Sequence, residues 1–131
     1  MTQPTPQRVI TISIAGIGEK AEVYYTYLSP VTGLSYINSP ICDLVADQAI
    51  NSLFVLDYFS TKNGWTIMAI SPRKDSPSME FVRGALQLSI LTINPYSNVG
   101  MVYQFYVHYL NTVSGVEIKR DPQEGNVEPP H

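Results

Sequence analysis

The sequence predicts an all-β chain, an antiparallel β-sandwich of immunoglobulin-like or jelly-roll-like form. Three observations carry that reading. Met101 to Leu110 alternates with period two: Met101, Tyr103, Phe105, Val107 and Tyr109 make an apolar face, and Val102, Gln104, Tyr106, His108 and Leu110 a mixed one. No Pro, Gly or formal charge interrupts this run, so it reads as a central strand. Roughly seven short β-prone runs with turn residues between them fill the chain. Helix candidates are few, which favours stacked antiparallel sheets over a βαβ architecture.

The 131 residues suffice for one domain and are too few for two. Its expected bounds are 8–128, with 1–7 a flexible lead and 129–131 a tail. At 44% apolar residues, the chain has enough material for a core without a disulfide or metal staple. Eight Lys and Arg against eleven Asp and Glu give a net charge of −3. The basic residues are scattered, without the dense cluster of a nucleic-acid groove or a polybasic membrane site. Neither partner is expected. Cys42 is the lone cysteine, so no intrachain disulfide can form, which suits a reducing cytoplasm. As a nucleophile Cys42 would need a base, and only His108 and His131 are available. Val9 to Ile17 is too short and too alternating for a signal-peptide core.

Along the chain, Val9 to Ala15 alternates Ile10, Ile12 and Ile14 with Val9, Thr11 and Ser13, a half-buried strand. Glu22 to Leu28, rich in Tyr and Val, is a second strand. Ser29 to Pro40 reads as loop because Pro30, Gly33 and Pro40 punctuate it. Ile41 to Ile50 fits a helix capped at Ser39-Pro40 as well as a strand, and its β-rich surroundings favour the strand. Leu53 to Phe59 and Trp65 to Ile70 flank Thr61-Lys62-Asn63-Gly64, and Asn-Gly between two such runs predicts a type I′ hairpin. Ser71 to Gly84 reads as a long surface loop. Ala85 to Ile93 is again strand-like, Asn94 to Asn98 turns into the central strand, and Asn111 to Gly115 turns out of it. Val116 to Arg120 closes as a short partner strand, with Val116 and Ile118 on one side.

Each candidate for chemistry has a plainer explanation beside it. Gly16-Ile17-Gly18-Glu19-Lys20-Ala21 matches the start of a dinucleotide-binding turn, but a strand-like run follows where a helix is required. Turn glycines explain the match, and no cofactor is expected. His108 is a lone strand histidine beside Tyr106 and Gln104, outside any recognisable triad spacing. The nine tyrosines fill strand faces at half-burial, and Tyr24 and Tyr106 are the two to inspect for exposure to a sugar or a partner.

The tail is the most distinctive segment. Asp121-Pro122 is good turn chemistry and accounts for an end to the last strand. Asp121, Glu124, Asn126 and Glu128 place four oxygen ligands within eight residues, although not at the spacing of a calcium loop. Asp121-Pro122 followed by Glu128-Pro129, late in an all-β chain, resembles the DP-EP family of uncharacterised bacterial proteins. That resemblance implies no activity, substrate or cofactor and marks the four residues as positions to watch. A looser similarity, over the last thirty or so residues, is to bacterial inclusion-body proteins, which implies a non-catalytic, self-associating sandwich. The functional expectation is a non-enzymatic binding or self-assembly module, a homo-oligomer, with candidate ligand residues Asp121, Glu128, Tyr106 and His108. The alternatives are a metal-assisted hydrolase using the tail carboxylates and a carbohydrate-binding module working through Tyr106 and Trp65.

Overall fold

A computed structural model describes residues 7–28, 35–39, 50–74, 79–92, 102–120 and 123–125. Among the described residues ten strands and one helical turn follow in the order β1 Gln7–Ala15, β2 Glu22–Leu28, β3 Ser35–Ser39, β4 Ile50–Leu56, α1 Tyr58–Lys62, β5 Trp65–Pro72, β6 Met79–Arg83, β7 Gln87–Thr92, β8 Val102–Asn111, β9 Glu117–Arg120 and β10 Gln123–Gly125. The larger sheet has the order β3-β2-β1-β4-β7-β6; the smaller has β8 between β5 on one side and β9 and β10 on the other. The expected all-β sandwich is therefore present. One pairing departs from the antiparallel rule: β1 and β4 run parallel, with Val9 opposite Leu53 and Thr11 opposite Val55.

Alternation builds the core. Ile10, Ile12 and Ile14 of β1, Val23, Tyr25 and Tyr27 of β2, Phe54 and Leu56 of β4, and Leu88 and Ile90 of β7 all point inward. Trp65, Ile67, Phe105, Val107, Tyr109 and Ile118 face them from the smaller sheet. Phe54 is the joint between layers, edge-on to Tyr25 at 6.2 Å within its own sheet and to Phe105 at 6.1 Å across the gap.

Four local expectations need correction. No hairpin forms at Asn63-Gly64, because β4 and β5 lie in different sheets. Asp57 caps α1 instead, its side chain accepting the Ser60 N–H at 2.8 Å, and the run read as strand through Phe59 stops at Leu56. Asn63 has an ordinary φ of −80°, and only Gly64 is left-handed at +99°, the arrangement that ends a helix. The stretch read as loop before Pro40 contains β3, which pairs with β2. The 71–84 stretch also read as loop contains β6, an edge strand on β7. Here strand pairing outweighs the local turn residues.

Two smaller differences concern the chain's margins. β1 begins at Gln7, inside the segment expected to be a flexible lead. Strand β9 ends at Arg120, directly before Asp121-Pro122 as expected, but it is not the last strand: β10 also pairs with β8, Gln123 opposite Gln104, as Arg120 of β9 is opposite Val107. Most of the ambiguous 41–50 stretch lies outside the described residues, and Ile50 opens β4.

The turns at one end of the sandwich lock together. The Trp65 indole N–H donates to the Gly16 carbonyl at 2.9 Å, the Ser114 hydroxyl to the Ile17 carbonyl at 2.6 Å, and the Thr112 N–H to the Gly64 carbonyl at 2.8 Å. Buried Asn111 accepts the Val113 and Ser114 N–H groups on its side-chain oxygen and donates its amide to the Asn63 carbonyl. Such knitting fixes the end of β8 and with it the register of the face described next.

Candidate functional site: the outer face of the central strand

Strand β8 performs both tasks its alternation foretells. Phe105, Val107 and Tyr109 are fully buried, while Tyr106, His108 and Leu110 lie half-buried on the outer face. Its neighbours determine what surrounds them. Lys119 of β9 sits opposite His108, and Glu117 opposite Leu110. On the other side, β5 is in register from Trp65 opposite Asn111 to Ile67 opposite Tyr109, then shifts by one residue, so that Ala69 faces His108 and Ser71 faces Tyr106. Met68 is the extra residue of this bulge. A bulge reverses which side chains look outward beyond it. Ser71, inward by simple alternation from Trp65, is thereby delivered to the outer face.

The result is a compact polar group. The Ser71 hydroxyl and His108 Nε2 are 3.1 Å apart, with the ring tautomer deciding which donates. The Arg73 guanidinium, just past β5, is 5.4 Å from the centre of the Tyr106 ring, and Lys119 Nζ is 4.5 Å from it. Two cations drawn from strands on either side thus share one aromatic ring, with an imidazole one step along the strand. Each gains from the ring's quadrupole, by about 0.5–1 kcal/mol at an exposed site. Together they place two positive charges at one ring, on a chain whose net charge is −3.

This arrangement can bind; it does not assemble a nucleophile. Ser71 and His108 touch, but among the described residues no carboxylate orients the imidazole, and the pair lies exposed to water. Among the described residues no group of three His, Cys, Asp or Glu side chains converges to hold a metal ion. Asp121, Glu128, Cys42 and His131 lie outside the described residues. The structure thus joins Tyr106 with His108 and adds Ser71, Arg73 and Lys119. Lys119 was legible from the short partner strand. Ser71 and Arg73 were hidden by the bulge.

Two other polar clusters serve the fold. Asp57 accepts the Ser13 hydroxyl at 2.6 Å and the Ser60 N–H, while the Ser60 hydroxyl accepts the Ile14 N–H at 2.8 Å. Partial burial pushes the Asp57 carboxyl up, but the hydrogen bonds from Ser13 and Ser60 outweigh it and hold the group below its ordinary value. An open groove of about 440 Å³ is lined by Lys20, Ala21, Glu22, Val23, Tyr24 and Arg120. Three of its polar groups are engaged: Tyr24 donates its hydroxyl to the Glu22 carboxylate, and Arg120 donates to the Ala21 carbonyl at 2.8 Å. The bond to Glu22, with some burial and the nearby negative charge, raises the Tyr24 phenol above its ordinary value. Gly16, at φ +94°, turns β1 directly into β2, so no helix follows the glycine pair and no dinucleotide cradle forms.

No protein-family model matches the chain, and no match is found among curated proteins. Among the described residues no helix is long and apolar enough to cross a membrane.

Proposed function

We propose that the chain is a non-enzymatic β-sandwich binding module that takes an anionic group, a phosphate or a carboxylate, on the Tyr106 face. The observation that carries this reading is the convergence of Arg73 and Lys119 on one tyrosine ring beside His108. Like charges gathered round one ring on a strand face are relieved by an anion that reaches either of them. Arg73 offers a planar fork and Lys119 a point charge, so oxyanions with several acceptors fit better than a halide. The rigid backbone beneath, a central strand paired on both sides, keeps the ordering cost low. A cytoplasmic location belongs to the same proposal, since the lone Cys42 requires no oxidising compartment.

The test is a titration of ¹⁵N-labelled protein with pyrophosphate, followed by amide and side-chain shifts. Shifts should centre on Ser71, Arg73, Tyr106, His108 and Lys119. Lys119→Gln removes one charge at contact distance, worth about 1 kcal/mol in a water-exposed setting, and should weaken binding roughly fivefold. Added salt should weaken it further, because exposed charges are screened. Shifts centred on the Lys20–Arg120 groove, or an unchanged affinity in Lys119→Gln, would remove the Tyr106 face from the site.

A further inference from the structure

The larger sheet has an outer face whose described side chains are exposed or half-buried. Side chains alternate, so the strands that send Ile10, Phe54 and Leu88 inward send Val9, Leu53 and Ser89 outward. Register then aligns them. Val9 of β1 is opposite Leu53 of β4, Leu53 opposite Ser89 of β7, and Ser89 opposite Val82 of β6, while Leu28 of β2 has the outward parity of Thr26, the partner of Thr11. One row crossing four strands therefore reads Val-Leu-Ser-Val. Val82 is 75% exposed, Leu28 60% and Val9 57%. Thr11, Thr26, Val55 and Leu91, half-buried, flank this row. Its charges lie at the margins: Glu22 at the first residue of β2, Glu80 on the edge strand β6, and Asp57 just past β4, whose carboxylate accepts the Ser13 hydroxyl.

We propose that this face docks a second copy of the chain, sheet on sheet, about a two-fold axis. Three features select that occupant. The centre of the face has no charge to recognise a charged partner. A chain of net charge −3 repels its own copies, so they must meet where that charge is absent. The face is also large enough: five strands about 4.8 Å apart and some six residues of about 3.4 Å each span roughly 500 Å² per copy. The total, about 1,000 Å², sits at the lower edge of specific interfaces, so the dimer is reversible rather than obligate. Two identical twisted sheets can stack about 10 Å apart with their small and apolar side chains interleaved.

Sedimentation velocity between about 10 and about 500 µM tests this, the span over which a small reversible interface populates both states by mass action. The mass should rise from 14.6 kDa towards twice that value. Val9→Lys should weaken the dimer at least tenfold while leaving the circular-dichroism spectrum unchanged, and Thr11→Lys provides a second variant on the same strand. Val113→Lys, which adds the same charge on an exposed turn at the end of the sandwich, should leave the association unchanged. A monomer at every concentration overturns the proposal, as does a dimer indifferent to both Val9→Lys and Thr11→Lys. β1 is paired on both sides and cannot take part in edge pairing. Dissociation by Val82→Lys alone would therefore mean edge-to-edge association through β6, and would overturn it equally.

Discussion

Gly64 separates the helical turn found here from the hairpin its sequence suggests. A type I′ turn needs positive φ at both Asn63 and Gly64; in the structure Asn63 is at −80° and only Gly64, at +99°, is left-handed. Gly64→Ala places a Cβ 2.8 Å from a Val113 methyl and 3.1 Å from both the Asn111 side-chain oxygen and the Thr112 hydroxyl. The left-handed conformation costs an L-residue about 1–2 kcal/mol. Displacing Asn111 or Thr112 forfeits part of a hydrogen bond worth about 1 kcal/mol. Together the substitution should cost about 2–3 kcal/mol. At about 2.1 cal/mol/K of unfolding entropy per residue, 1 kcal/mol lowers the melting temperature of this chain by about 3–4 °C. Calorimetry should then show a drop of about 7–11 °C for Gly64→Ala and less than about 2 °C for Asn63→Ala. Adding Val113→Ala should restore the part due to the methyl contact and leave the backbone strain. Equal losses at Asn63 and Gly64, or a neutral Gly64→Ala, would refute the helix-end geometry.

Four further outcomes follow from the packing. Asp57→Ala removes the cap of α1 and should cost about 1 kcal/mol, within a range of about 0.5–2, in urea unfolding. The folded Asp57 carboxyl titrates below its ordinary value of 3.8, so its stabilisation is present above that pH and is lost as pH falls through the lower folded value. Asp57→Asn should accordingly flatten the stability profile below its ordinary value of 3.8, and an unaltered profile would exclude Asp57 as a contributor. Phe54→Ala opens the joint between the layers and should cost about 3–5 kcal/mol, whereas a loss below about 1 kcal/mol would contradict its place between Tyr25 and Phe105. The bulge at Met68 puts Ile70 against the core and Ser71 outside; Ile70→Ala should cost about 1–2 kcal/mol and Ser71→Ala less than about 0.5, and the reverse order would restore unbroken alternation.

Where burial follows sequence alternation without interruption, the residues announce the structure. Strands β1, β2 and β8 have one face of large apolar groups and no breaker inside, and each lies within a residue or two of its expected span. Where a residue serves two geometries equally well, tertiary contacts decide. Asn-Gly suits a hairpin and a helix end alike; the discriminating sign is Asp57, seven positions ahead of Gly64 and three ahead of Ser60, which is cap spacing. Strands β3 and β6 are short edge pieces whose Pro, Gly and charged surroundings hide them, and they exist because β2 and β7 offer open ladders. The candidate site was half legible for the same reason. Tyr106 and His108 follow from the parity of one strand, and Lys119 from its neighbour. Ser71 and Arg73 depend on a one-residue register shift at Met68 that no local residue preference marks.

The central functional claim is that the outer face of β8 is where the protein meets its ligand. A crystal structure of the chain grown with pyrophosphate tests it most directly. The expected density lies over Tyr106, with phosphate oxygens within about 2.7–2.9 Å of Lys119 Nζ or the Arg73 guanidinium. Pyrophosphate bound elsewhere, with that face empty in molecules whose lattice leaves it open, would contradict the claim.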